Sequence, residues 1–293
     1  MNLFRKRPTI PVIRLSGVIA AGSMRSGISI GSAAPLIEKA FKAMGKEKTV
    51  AVVINSPGGS PVQSNLVMRR IRALADEKDA KVLVFVEDVA ASGGYFIAIA
   101  GDEIFADPSS VVGSIGVISA QFGLQEAIAK LGIERRVYTA GESKSMLDPF
   151  KEAQSDDIAR LRDILEEIHT VFIDTVKERR GDKLIGADSE LFEGQVWVGR
   201  HAVTAGLIDG LSDVRTELRR RFGKKVRMQV IGRRQSLFSR QQPGVAMPWD
   251  AASVGTDGLG AAAARLAPAL LDALEDRAQY QRFGVGYAER SGD

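Results

Sequence analysis

The stretch that decides the fold reads Asp88-Val-Ala-Ala-Ser92-Gly93-Gly94-Tyr-Phe-Ile-Ala98, and a strand-like apolar run over residues 82–86 leads into it. Small residues flank Ser92, between a strand of buried type and the start of an apolar helix. Such neighbours leave a serine hydroxyl accessible while backbone N–H groups converge beside it, so the pattern predicts a nucleophile. The alternative is a serine that caps the helix, because serine is a preferred N-cap residue.

Apolar runs of strand length alternate with helical patterns around this stretch. Strands are predicted over residues 9–15, 50–54 and 82–86, with one helix opened by Ser32 and another ending near Glu77. A strand, a turn and a helix repeated at this spacing indicate βαβ units and a parallel sheet. Ligand sites of such sheets lie at the carboxyl ends of the strands.

A second glycine turn, Asn55-Ser-Pro57-Gly58-Gly59, follows the strand that ends at Ile54. Proline presets one φ angle, glycine permits unusual φ angles, and the lack of side chains lets N–H groups reach a ligand. An ordinary tight turn explains a single Pro-Gly-Gly equally well. Two such turns at the ends of neighbouring parallel strands favour a site at this edge.

Shorter elements follow, and then the composition changes. We predict a strand around residues 136–139, a long amphipathic helix over 155–179 and a final strand over 226–231. Beyond Arg233 the chain becomes rich in Gln, Ser, Pro, Gly and Ala. The sequence therefore predicts a folded domain over residues 1–232, followed by a linker and alanine-rich tail over 233–293.

Composition excludes several classes of function. The 293 residues are 45% hydrophobic and 26% charged, which is ordinary for a globular protein. The absence of cysteine excludes disulfides, thiolate metal sites and cysteine nucleophiles. A net charge of +4 is too small to indicate nucleic-acid binding, and no nucleic-acid partner is expected.

Charge and hydropathy also bear on location. Ten basic residues lie between Arg215 and Arg240, with Glu217 as the one acid among them. This span suits peripheral contact with an anionic membrane, and a solvated or intersubunit face is the alternative. No signal peptide or transmembrane span is recognised, so the expected location is the cytoplasm or the inner face of the membrane.

A serine nucleophile needs a proton acceptor, and histidine is scarce. His169 and His201 are the two histidines of the chain, and both are predicted to be structural. Lys144 lies after the predicted strand at 136–139, among small and apolar residues. Burial lowers the pKa of a lysine, so a buried Lys144 would act as a base, whereas a solvent-exposed charge is the alternative.

Five separated blocks, taken together, resemble the signal peptide peptidase A family of serine peptidases, relatives of the Clp protease and crotonase superfamily. The blocks are Asn55-Ser-Pro-Gly-Gly59, Ala91-Ser92-Gly-Gly-Tyr95, Gly113-Ser114-Ile-Gly-Val117, Gly141-Glu-Ser-Lys144 with Pro149-Phe150, and Gly206-Leu-Ile-Asp209. The resemblance implies an α/β fold of the Clp/crotonase type, a parallel-sheet ββα superhelix with surrounding helices.

The resemblance also implies roles for individual residues. Ser92 corresponds to the nucleophile and Lys144 to its general base, which form a Ser-Lys dyad. Gly59 and Gly93 correspond to the oxyanion donors, with Gly58 supporting their turn. Ser114 falls where the family has a serine that holds the lysine amine, and a plain turn serine is the alternative.

Family members cleave apolar peptides such as released signal sequences, without a cofactor or metal, and commonly assemble into rings of copies. The resemblance therefore implies a serine endopeptidase with a peptide substrate and a homo-oligomeric ring. The chain departs from the family pattern in lacking the usual bacterial membrane anchor and a duplicated half, and its tail has no recognised counterpart.

Two other functions remain open at the level of sequence. A crotonase-type acyl-thioester hydratase or lyase shares the fold and the glycine donors, but it would need acid/base carboxylates, and no obvious acidic pair is present. A catalytically inactive, ring-forming scaffold would need neither Ser92 nor Lys144. Both residues are present, which favours the peptidase.

Overall fold

A mainly parallel sheet runs through the computed structural model, which describes residues 7–22 and 27–232. Its strands are β1 (Thr9–Ser16), β2 (Thr49–Ser56), β3 (Lys81–Ala91), β4 (Glu103–Ala106), β5 (Val111–Gly113), β6 (Val196–Val198), β7 (Gly210–Leu211) and β8 (Arg227–Val230). The helices are α1 (Ile30–Lys42), α2 (Pro61–Lys78), α3 (Gly93–Ala98), α4 (Gln125–Lys130), α5 (Ser155–Arg180), α6 (Asp188–Leu191), α7 (Gly199–Thr204) and α8 (Val214–Phe222). The α/β class predicted from the sequence is confirmed.

The strand order places the ends of β2 and β3 side by side. The main path of the sheet is β6-β5-β3-β2-β1-β8, with β4 and β7 branching from β3. All pairs are parallel except β5 with β6. β3 is long enough, at 11 residues, to pair first with β4 through residues 83–86 and then with β5 through residues 89–91.

Helices cover the sheet on both faces, which explains the continuous apolar runs of the central strands. Val52 and Ile54 of β2 belong to the larger core cluster, together with residues of α1, α2 and α3. Ala51 and Val53 face the other way, into a cluster that includes Leu218 of α8. Strands of a parallel sheet that is covered on both faces are apolar throughout, because every side chain is buried.

Two predicted boundaries move for local reasons. α1 begins at Ile30 rather than Ser32, because Ser29 is the N-cap and Ser32 completes a capping box with it. β3 extends to Ala91, five residues beyond the predicted end at Val86. An irregularity in its pairing with β2 lets the strand continue past Glu87 and Asp88.

The predicted strand at residues 136–139 is wrong, and it lies in a segment that leaves the core. From residue 116 to residue 171, which we call the arm, no described residue is buried as a whole. Large apolar side chains are exposed on it, among them Ile118, Phe122, Leu131, Ile133 and Tyr138. Only the carboxyl-terminal part of α5 reaches the core, through Phe172 and Val176.

The predicted linker and tail, residues 233–293, lie outside the described residues. Among the helices of residues 7–22 and 27–232, none is long and apolar enough to cross a membrane.

Part of the basic span at residues 215–240 is engaged within the fold. Arg220 and Arg221 both pair with Glu217, and Arg221 also pairs with Glu103. The hydrogen bonds from Arg221 lower the pKa of Glu103 to about 2, and Lys81 adds to the effect. Contact of the remaining basic residues with an anionic membrane stays a prediction.

Removal of the Glu103 carboxylate tests this cluster. The pKa of Glu103 is lower in the folded than in the unfolded chain, so its stabilising contribution is complete above the unfolded value and declines as pH falls towards about 2. We expect Glu103→Gln to lower the free energy of unfolding at pH 7, and the difference from wild type to shrink by pH 2.5. Urea titrations at both pH values measure this.

The matched control is Glu38→Gln, which removes a carboxylate from an exposed pair with Arg70 and should change stability by no more than about 1 kcal/mol. An equal difference between wild type and Glu103→Gln at both pH values would contradict the assignment.

Candidate active site

Ser92 occupies a strained turn between β3 and α3. Its φ of 51° and ψ of −123° put a non-glycine residue in a region that costs about 1–3 kcal/mol. Its N–H donates to the Gly113 carbonyl at 2.8 Å, and Ser92 is partly exposed while Ala91 and Gly93 are buried. A strained strand-to-helix turn that presents a serine is the geometry of a nucleophile elbow.

The alternative role of Ser92 as a helix cap is wrong. Ser92 stands at the N-cap position of α3, but its side chain makes no capping hydrogen bond. A capping serine would accept a hydrogen bond from an N–H of the first helical turn, as Ser29 does in α1. The hydroxyl and the N–H groups at this helix start are therefore left for another partner.

The two glycine turns predicted at one edge are in contact. A Cβ placed on Gly58 would lie 2.8 Å from Ser92 Cβ and 3.0 Å from the Gly93 nitrogen. A Cβ placed on Gly93 would lie 3.4 Å from the Gly59 nitrogen. At Gly59, φ is +134° and a Cβ would lie 2.1 Å from the Ile19 carbonyl oxygen, so only glycine fits there.

Gly59 and Gly93 present two N–H groups at this contact. Within residues 7–22 and 27–232, neither group has a hydrogen-bond acceptor. Ile19 holds the turn on either side of Gly59, since its N–H donates to the Gly58 carbonyl at 2.8 Å and its carbonyl accepts from Ser60 N–H at 2.7 Å. Free N–H groups on a fixed backbone are suited to stabilise a developing oxyanion.

Ser114 lies beside Ser92 at the end of the neighbouring strand. Ala91 of β3 pairs with Gly113 of β5, and the two serines directly follow these residues. Ser114 is buried and has a φ of +51°, and its N–H donates to the Gln195 carbonyl at 2.6 Å. Its hydroxyl makes no hydrogen bond within the described part of the chain, so this group is available to a ligand or a lysine amine.

Lys144 lies on the arm, in a 3-10 turn over Glu142–Ser145, and it is exposed. Among the described residues, its amine has neither a hydrogen bond nor an ion pair, and nothing joins it to Ser92 or Ser114. The burial expected for this lysine is therefore not present in a single chain. The structure gathers Ser92, the two N–H groups and Ser114, but it does not bring Lys144 to them.

Asp148 is the first acidic residue after Lys144 in the sequence, and its carboxylate binds groups other than Lys144. Asp148 accepts a hydrogen bond from the Phe150 N–H and pairs with Arg135. These contacts, with the Phe150 N–H first, lower the pKa of Asp148. Asp148 is thus held as a carboxylate by partners other than Lys144.

Sequence reasoning missed Ile19, whose backbone fixes the Gly59 turn, because a single apolar residue in a loop carries no recognisable pattern. A structural role stays the prediction for His169, and a contact of 3.1 Å between its Nε2 and the Ile115 carbonyl oxygen agrees with it. His201 is exposed on α7, away from the buried core.

The family model of peptidase family S49 matches residues 75–226, just over half of the chain. The chain belongs to this family. The match contains the blocks around Ser92, Ser114, Lys144 and Gly206, while the glycine turn at Gly58 and Gly59 precedes it.

Individual relatives agree with this assignment. The chain is 29% identical over 268 residues to the chloroplastic serine protease SPPA of Arabidopsis thaliana, covering 89% of this chain and 38% of that protein. It is 30% identical over 208 residues to Protease 4 of Salmonella typhi, covering 70% and 33%. The resemblance to the signal peptide peptidase A family is confirmed.

A Brucella abortus protein named Na(+)/H(+) antiporter NhaA is 52% identical to the chain over 278 residues, which covers 94% of this chain and 37% of that protein. The chain thus spans little more than a third of the length of this relative. The name describes that longer protein, and the family assignment here rests on the S49 match.

A methyl group at Gly93 tests the pair of N–H donors. The Cβ of Gly93→Ala would lie 2.4 Å from the Ser64 hydroxyl oxygen and 3.4 Å from the Gly59 nitrogen. Ser64→Ala removes the first contact and leaves the second, together with a contact of 3.2 Å to the flexible end of the Ile19 side chain. We expect the double variant to recover stability but to stay at least about tenfold slower in peptide-ester hydrolysis, because the methyl group beside the Gly59 nitrogen obstructs an acceptor at that N–H, and complete loss of one such donor costs roughly 10²–10³ in rate.

Ser64→Ala alone is the control and should hydrolyse the ester at close to the wild-type rate. Thermal unfolding checks the stability of all variants. Full recovery of hydrolysis in the double variant would show that the methyl group acts through Ser64 and not on the N–H pair.

Proposed function

We propose that the chain is a serine endopeptidase that hydrolyses apolar peptides through an acyl-enzyme on Ser92. The observation that carries the proposal is the uncapped Ser92 hydroxyl on a strained turn, beside the free N–H groups of Gly59 and Gly93. Membership of peptidase family S49 supports the same chemistry. The apolar substrate class is carried over from the family resemblance.

The proposed reaction has two steps. Ser92 Oγ attacks the scissile carbonyl carbon while its proton passes to a neutral Lys144 amine, and the Gly59 and Gly93 N–H groups stabilise the oxyanion. Collapse breaks the C–N bond as Lys144 returns the proton to the leaving amine. Water then attacks the ester, again with Lys144 as base, and releases Ser92.

In this proposal Lys144 reaches the site through assembly. The arm exposes both the lysine and large apolar side chains such as Phe122 and Tyr138, and the Ser114 hydroxyl beside Ser92 has no partner within the described residues. A second copy of the chain would cover the arm and place a Lys144 against a Ser92–Ser114 pair. Homo-oligomers built from such contacts close into rings when the rotation allows it.

The hydratase alternative receives less support. It needs acid/base carboxylates at the oxyanion donors, and the two carboxylates that shortly precede Ser92 on β3 are engaged. Arg14 pairs with Glu87, and Asn55 Nδ2 donates to Asp88 at 2.5 Å. The site therefore favours acyl transfer through a serine.

Labelling with a fluorophosphonate tests the nucleophile. We expect wild type to be modified on the peptide that contains Ser92, because the probe needs an activated hydroxyl beside an oxyanion site. Ser92→Ala should not be labelled, while Ser32→Ala, which removes a serine from the α1 capping box, should be labelled like wild type. Mass mapping of a modified peptide without Ser92 would refute the assignment.

Mixing of inactive variants tests the shared site. Ser92→Ala and Lys144→Ala should each lose at least about a hundredfold in rate, since a positioned base contributes roughly 10²–10⁴. If Lys144 serves the Ser92 of a neighbouring copy, co-refolded mixtures should regain part of the activity and form oligomers by light scattering.

The control is a mixture of Lys144→Arg with Lys144→Ala. Guanidinium stays protonated and cannot accept the proton, so neither copy supplies a base and this mixture should stay inactive. A mixture of Ser92→Ala with Lys144→Ala that is no more active than its parts would place the base within its own chain or elsewhere.

A further inference from the structure

A buried polar network lies beneath the helix that follows Ser92, and the proposed chemistry does not use it. Tyr95, in the first turn of α3, is fully buried, and its hydroxyl donates to the Leu207 carbonyl at 2.7 Å. Burial raises the pKa of the phenol well above its ordinary value. The hydroxyl is therefore protonated and remains a donor throughout the working pH range.

The acceptor of this bond, the Leu207 carbonyl, belongs to the turn at residues 206–209. Arg180 forms hydrogen bonds with this turn. Arg180 is 3% exposed; its Nε and Nη2 donate to the Gly206 carbonyl at 3.0 and 2.7 Å, and its Nη1 donates to Asp209 Oδ2 at 2.8 Å. Each side of the Leu207 carbonyl is thus tied to one buried guanidinium.

Asp209 extends the network to β4 and to the 3-10 turn Gly181–Lys183, which follows α5. Its carboxylate accepts from the Ile104 N–H at 2.8 Å and from Lys183 at 2.7 Å. Burial alone would raise the pKa of Asp209, but the hydrogen bonds from Arg180 and Lys183 outweigh burial and lower it. The carboxylate stays charged and keeps Arg180 paired.

The turn is packed closely against neighbouring backbone. Gly206 has a φ of +72°, and a Cβ there would lie 1.7 Å from the Lys183 carbonyl oxygen. Only glycine allows the Lys183 backbone to approach this closely. The Leu207 carbonyl, to which Tyr95 donates, thus follows a residue that is packed on backbone and bonded to Arg180.

α5 contacts α3 at further points. The Phe172 ring packs on the Phe96 ring at 4.8 Å between centroids, and Arg179 Nε donates to the Ile99 carbonyl at 2.9 Å. The carboxyl-terminal part of α5 thus contacts the carboxyl-terminal half of α3, while the amino-terminal part of α5 belongs to the exposed arm.

We propose that Tyr95 is a positioning residue for Ser92, acting through α3, and that Arg180 and Asp209 fix the carbonyl to which Tyr95 binds. The inference rests on the proposed function. α3 begins at Gly93, so a rotation of this short helix moves the Ser92 hydroxyl and the Gly93 N–H together. Loss of the Tyr95 hydrogen bond then weakens attack and oxyanion stabilisation without changing the surface that binds the peptide.

The test compares Tyr95→Phe with Thr49→Val. Both variants remove one buried hydroxyl that donates to a backbone carbonyl, since Thr49 is 3% exposed and donates to the Glu47 carbonyl at 2.8 Å. Thr49 lies at the amino end of β2, the end of the strand away from the glycine turn. The measurements are thermal unfolding, kcat and KM on a peptide ester, and the rate of fluorophosphonate labelling of Ser92.

We expect both variants to unfold at lower temperature than wild type. Tyr95→Phe should lower kcat and the labelling rate about tenfold or more, with KM within about twofold of wild type, because small misplacements of reacting groups cost one to two orders of magnitude in rate. Thr49→Val should keep wild-type kcat and labelling.

Arg180→Lys provides the second variant, because it keeps the positive charge beside Asp209 but loses the three-donor geometry. It should lower kcat at unchanged KM, and the loss in the double variant with Tyr95→Phe should be smaller than the product of the single losses. If Tyr95→Phe does not fold, Arg180→Lys alone decides by the same comparison with Thr49→Val.

Wild-type kcat in folded Tyr95→Phe, or equal losses in Tyr95→Phe and Thr49→Val, would overturn the inference. If wild type itself is not labelled on Ser92, the proposed function fails and the inference fails with it. A labelled wild type with an unchanged Tyr95→Phe overturns the inference alone.

Discussion

The contact between the Gly58–Gly59 turn and the Ser92 turn is the constraint on which the site depends. It exists because β2 and β3 are parallel neighbours, so both strands end at one edge of the sheet. The pairing irregularity near Ser56 and the extension of β3 onto β5 bring Ser92 level with Gly58. With a side chain at Gly58 the two backbones could not approach, and a side chain at Gly59 would clash with the Ile19 backbone that holds this turn.

Local signals explain what the sequence predicted well. The buried strands at residues 9–15, 50–54 and 82–86 and the turns after Ile54 and near Ser92 leave short local patterns, and the structure contains these strands and turns. The predicted start of α1 differs from the observed one by a few residues. Ser29 and Ser32 are both good capping residues, and only the backbone conformation shows that Ser29 is the N-cap.

Non-local information explains the rest. Apolar residues at helical spacing in the first half of α5 look alike in sequence whether they face the core of the chain or another surface, and the structure leaves them outside the core. The sequence likewise does not show whether the chain buries Lys144, and the structure leaves this residue exposed. Tyr95, Arg180 and Asp209 are joined across more than a hundred residues, and no pattern within one segment links a tyrosine on α3 to an arginine at the end of α5.

Because α5 is long, a small change of its direction at the end packed on the core moves its other end by a larger distance. A helix of 26 residues is about 39 Å long at roughly 1.5 Å per residue. A tilt of about 5° at the Arg180 end therefore displaces the far end by roughly 3 Å, which is the length of a hydrogen bond. The precision with which the core positions Arg180 therefore determines the precision with which the arm is positioned for any partner that binds it.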